Sequence, residues 1–126
     1  MKLSYLMTVS AVVAVIFGIA FVLASGSLMP LYGATLNPAG TIIAQLFGAA
    51  LIGFAVVNWF ARNAKEGEAL RAIVLANLVS DTIGFIVALL GQLSGVVNAL
   101  GWSTVVIYLL LALGFAYIQF IKPSAS

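Results

Sequence analysis

The sequence predicts an all-α protein, a polytopic membrane four-helix bundle with N-terminus and C-terminus cytoplasmic, on three observations. Of its 126 residues 64% are hydrophobic and only 6% charged, far outside the mix of a water-soluble globule. Four apolar runs each reach the ~20 residues that a helix needs to cross a hydrocarbon core of ~30 Å. All five basic side chains flank one side of those runs.

The first run covers residues 3–24, with Lys2 before it and small residues, "LASGS", at its end. It is longer than the ~7–15 residues of a signal-peptide core, so a retained span is expected. The link "SGSLMPLYGATLNPA" follows, rich in helix breakers and without charge. Its Leu28, Met29, Leu31 and Tyr32 suit the membrane interface, a cover for the bundle mouth or equally a partner's docking site. Asn37 then Pro38 predicts a helix start, because Asn caps free N–H groups and Pro at the first helical position gives up no bond. The second span is therefore expected over residues 40–61, with its start near residue 38.

The link "RNAKEGE" leads to a third span at 69–91, and "QLSGVVNALG" to a fourth at 102–121. No linker suggests a second domain, so residues 1–126 form one. Strands could cross only as a closed barrel of ~10-residue alternating segments, and these runs are twice that length without alternation. Lys2, Arg62, Lys65, Arg71 and Lys122 all fall on one side, which places both termini and the middle link in the cytoplasm. Trp59, Tyr117 and Phe120 would then stand at the inner interface, Tyr32 and Trp102 near the outer one.

Small residues draw stripes along these helices. Ala72, Ala76, Ser80, Gly84 and Ala88 recur every four residues in the third span; Gly40, Ala44 and Gly48, then Ala49 and Gly53, do so in the second, and Ser10, Ala14 and Gly18 in the first. Such stripes let backbones approach closely, within one bundle or between copies.

One acid interrupts the third run. Asp81 stands ~15 Å above Arg71 at 1.5 Å per residue, near the bilayer middle, where an Asp costs ~2.5–3.5 kcal/mol to insert. It should point inward and find partners. Asn77 lies one turn before it on the same face, Tyr108 on the fourth span reaches a similar height, and Gln45 on the second could extend the network. A structural role, hydrogen bonding across helices, is weighed ahead of a proton or cation site, because no second charge lies at that depth in any span to form a relay.

Function classes follow by exclusion. Five bases and three acids, scattered, form no nucleic-acid footprint. The chain has no Cys and no His, so thiolate chemistry, the commonest general base and the commonest metal ligand are missing. Catalytic residues, a metal and a cofactor are accordingly not expected. The residues fit a non-enzymatic accessory or assembly subunit, in contact with the lipid bilayer and with other membrane subunits or itself. The alternatives are an oligomeric proton-coupled small-solute transporter using Asp81, and a subunit that binds an apolar ligand such as a lipid or pigment.

"AQLFGAALIGFAVVNWFARN" and the ending "NALGWSTVVIYLLLALGFAY" resemble the small four-helix bacterial membrane proteins of unknown function near the DoxX-like families. That resemblance implies a four-helix bundle in a bacterial inner membrane and carries over no catalytic residue. Small multidrug transporters carry a membrane glutamate in their first helix, whereas "VSAVVAVIFGIAFVLA" has no acid. Small fluoride channels often insert in both orientations, unlike a chain with every base on one side.

Overall fold

Each apolar run folds as one long helix. The structure, a computed structural model, describes residues 2–121; Lys122, the fifth base, lies outside the described residues. The helices are α1 (Leu3–Leu31), α2 (Pro38–Ala61), α3 (Glu68–Leu93) and α4 (Gly101–Ala116), and α4 runs on into a π-helical turn, Tyr117–Ile121. All four are long and apolar enough to cross a membrane, α4 counted with its turn.

The ends of the helices follow from local chemistry. Asn37 caps α2, its side chain accepting from the Gly40 amide at 2.6 Å, with Pro38 in the first turn. Glu68 puts a negative charge at the positive end of the α3 dipole. Gly33 (φ +78°) and Gly95 (φ +75°) close α1 and α3 in the left-handed conformation that L side chains avoid.

The first helix is longer than its sequence suggests, because "SGS" does not stop it. Ala24 leaves helical geometry (φ −143°, ψ 31°), a kink, and the helix then resumes to Leu31 with Pro30 inside it. Where no water reaches the backbone, helix is the way to satisfy its N–H and C=O groups, so breakers that end a helix in water only bend one here.

Two pairs result. α1 packs chiefly on α2 and α3 chiefly on α4, and the pairs touch each other more sparsely. The first two small-residue stripes meet within the α1–α2 pair: a Cβ added to Gly48 would stand 2.6 Å from the Gly18 carbonyl oxygen, and one added to Gly18 would stand 2.9 Å from the Gly48 carbonyl oxygen. Ala14 and Ser10 continue that buried edge, while Gly40 and Ala44 are half-buried. The stripe on α3 divides. Ala72, Ala76 and Ser80 are exposed, whereas Gly84 and Ala88 are half-buried, and a Cβ at Gly84 would overlap the Tyr108 ring.

The packed core sits at the end of the bundle where α1 begins and the turn after α4 ends. There Leu3, Leu6 and Met7 of α1, Leu70 and Val74 of α3, and Leu111, Phe115 and Ile118 interlock, with Met7 and Phe115 fully buried. Elsewhere the outer surface is apolar, with Ile16, Leu23, Ile43, Phe60, Val87 and Leu110 all exposed. A water-soluble domain does not present such a surface; in a bilayer it contacts lipid tails. At the core end Arg62 stacks its guanidinium 3.8 Å from the Trp59 ring centroid, an aromatic and a base together as at a membrane interface.

Candidate functional site

A layer of polar side chains lies just above the packed core. Asn77, fully buried on α3, donates from Nδ2 to Asn58 Oδ1 of α2 at 2.8 Å and to its own helix at Ile73 O, 2.9 Å. Ser10 Oγ of α1 donates to Asn77 Oδ1 at 3.4 Å, and Asn58 Nδ2 donates to Phe54 O at 3.1 Å. Three helices from both pairs are thereby tied together in an apolar setting.

Asp81, one turn beyond Asn77 and at the middle of α3, is 3% exposed. Its Oδ2 is buried without a hydrogen-bond partner among the described residues. Neither expected donor satisfies it: the Tyr108 hydroxyl does not bond it, and Asn77 gives its amide to Asn58 and Ile73 instead. Gln45 does not extend the network either: it is exposed and donates to Val22 O at 3.4 Å. Tyr108 lies at the expected height, its ring against Gly84, where the missing side chain gives it room.

Asp81 and Tyr108 face a common space. Beyond the polar layer the two helix pairs separate around a cavity of about 590 Å³ that runs from Asp81 and Leu111 to Met29, Tyr32 and Val97 at the far end. Its walls are largely apolar. Phe17 and Phe21 of α1 and Phe47 and Phe54 of α2 face it, and Phe21 and Phe47 meet edge to face at 5.2 Å between centroids. Phe47 and Ala50 of α2 and Ile83 and Val87 of α3 are at once lining and exposed, so the cavity opens sideways along the α2–α3 seam. From the stripe on α3, Ser80, Gly84 and Ala88 line it and Ala72 and Ala76 do not.

The far end is pinned by Asn98. Its backbone N–H donates to Tyr32 O at 2.7 Å and its Nδ2 to Leu31 O at 3.0 Å, joining the α3–α4 link to the end of α1. Met29 and Tyr32 thus sit over the cavity, in keeping with a cover for the bundle mouth.

Two features were not foreseen. Asn58 is the partner that Asn77 finds, and the signal was present: Asn58 lies ~6 Å from Arg62 and Asn77 ~9 Å from Arg71 along their helices, within one turn of the same height. The aromatic wall had a signal as well, since Phe17 and Phe21 are spaced i, i+4 and Phe47 and Phe54 i, i+7, each pair on one helix face. Among the described residues no three Asp or Glu side chains converge as metal ligands would. Comparison with protein-family models, curated proteins and solved structures finds no match to this chain.

Proposed function

We propose that this multi-pass membrane protein binds an apolar or amphipathic molecule drawn from the bilayer, held between its two helix pairs. The cavity of about 590 Å³ carries this reading. Small-molecule sites occupy ~300–1,000 Å³, are mostly apolar, and hold a few convergent polar groups, as Asp81 and Tyr108 are here. Protein interiors otherwise pack nearly without voids, so an opening of this size between well-packed pairs suits an occupant. The lateral seam gives a lipid-soluble molecule a route that does not cross water.

The test is native mass spectrometry of the protein released from its membrane. A retained lipid or other apolar adduct is expected, and Ala50→Trp, which fills the seam from α2, should lose it while the protein stays monodisperse. Release without any adduct, together with no saturable uptake of radiolabelled dodecanol in phosphatidylcholine nanodiscs, would overturn the proposal. The exposed face of Ala72 and Ala76 favours a second reading, an accessory or assembly subunit or a self-associating one. In the same spectra, a companion chain that is lost on Ala76→Leu would support it.

We assign both termini and the α2–α3 link to the cytoplasm of a cell membrane, on the basic residues that flank that side; the likeness to small bacterial four-helix proteins favours a bacterial inner membrane. Reporter fusions within residues 62–68 and after Lys122 should read cytoplasmic, and one at Tyr32 external. An external reporter after Lys122 contradicts the assignment.

A further inference from the structure

We infer that Asp81 makes the cavity selective for amphipathic amines, docking an ammonium group on its carboxylate while the apolar remainder packs on the phenylalanines. The inference rests on the cavity being a binding site and adds the class of its ligand.

Three observations converge. Asp81 lines the cavity and is 3% exposed, and its buried Oδ2 has no hydrogen-bond partner among the described residues. A buried acceptor is ordinarily satisfied, and an unmet one invites a donor from whatever fills the adjacent space. Among the described residues no cation lies at that depth, since Lys2, Arg62 and Lys65 stand outside the helices and Arg71, in the first turn of α3, is ~15 Å along the helix from Asp81. The neighbouring amide is already engaged, because Asn77 bonds Asn58 and Ile73. A ligand that brings N–H donors and a positive charge therefore meets both needs of the carboxylate. An alcohol meets one, and a carboxylate ligand would face like charge.

The rest of the cavity fits the rest of such a molecule. Phe17, Phe21, Phe47 and Phe54 supply faces and edges for an alkyl chain or ring system, and the Tyr108 ring, beside Gly84, adds a π surface on which a cation is favourable. An amphiphile with its head at the interface and its tail in the bilayer can enter head-last or head-first through the α2–α3 seam. No polar vestibule is needed.

The experiment compares radiolabelled chains of one length on the intact protein in phosphatidylcholine nanodiscs, which carry no net charge to attract amines. Dodecylamine should bind at least about tenfold tighter than dodecanol, with dodecyltrimethylammonium, which has the charge but no N–H, in between and dodecanoate weakest. Asp81→Asn should erase the tenfold preference by weakening the amine while leaving dodecanol within about threefold. Equal binding of amine and alcohol by the wild type, or a preference that survives in a folded Asp81→Asn protein, overturns the assignment yet leaves the apolar site standing. If none of the chains binds saturably, the cavity is not a binding site and both proposals fall. Should Asp81→Asn not fold, the wild-type series alone decides, because the order amine, quaternary ammonium, alcohol, carboxylate is not expected of a merely apolar site.

Discussion

Gly48→Leu is expected to remove the folded protein almost entirely, seen as loss of the monodisperse species on extraction into detergent. The reason is what stands opposite. A Cβ at Gly48 would lie 2.6 Å from the Gly18 carbonyl oxygen and 2.9 Å from the Phe21 Cβ and a Val22 methyl, so part of the obstacle is backbone that cannot turn aside. Overpacking in a core costs ~1–3 kcal/mol where side chains can shift, and here α1 and α2 must separate along the contact that makes them a pair. Gly53, on the same helix, is the control: a Cβ there meets nothing within 4 Å. Gly53→Leu should express and extract like the wild type, within about 0.5 kcal/mol of its stability, as a substitution away from packed features does. If both variants survive, the close approach of α1 and α2 is not what holds the first pair together.

That contrast marks how far the residues alone could be read. The period of the small residues predicts close helix contact, and on α1 and α2 the stripes through Gly18 and Gly48 do meet. On α3 the same period is divided between lipid and cavity, since periodicity defines a face and not what the face meets. Helix identity and number were legible because hydrocarbon leaves the backbone few choices; the length of α1 was not, because Ser25, Gly26 and Ser27 carry the meaning they have in water. Asp81 could be recognised as anomalous from its depth. Its lack of a partner could not, because that depends on Asn77 donating to Asn58 and Ile73 rather than to Asp81, a choice between acceptors on different helices that no local pattern sets. The cavity is a property of the distance between pairs, and no local pattern encodes it; only the spacing of Phe17 with Phe21 and of Phe47 with Phe54 hinted at a shared aromatic wall.

Asn77→Ala should be the most destabilising change in the polar layer, by ~2 kcal/mol in unfolding free energy measured by steric trapping or denaturant titration. It strands Asn58 Oδ1, whose only donor is Asn77 Nδ2 among the described residues, in a side chain with no exposure. A buried acceptor left unmet costs ~1–3 kcal/mol, whereas a made hydrogen bond between membrane helices is worth only ~0.6 kcal/mol on average. Stranding, not the lost bond, is therefore the dominant effect. Ser10 adds little, since a hydroxyl on a helix can turn to the carbonyl four residues back. Alanine is the right probe because larger apolar carbons would crowd where a 2.8 Å contact stood. Asn58→Ala should cost a similar amount by stranding the Asn77 amide in part. The double variant should then be destabilised by roughly 1–2 kcal/mol less than the sum of the two, because neither partner remains to be stranded, and the cycle cancels the void each truncation leaves. Simple additivity would show that the two amides act separately, and the layer beneath Asp81 would then have no role in joining the helix pairs. With coupling of the expected sign, the polar layer is the joint between the pairs, and the cavity begins where it ends, one turn further along α3 at Asp81.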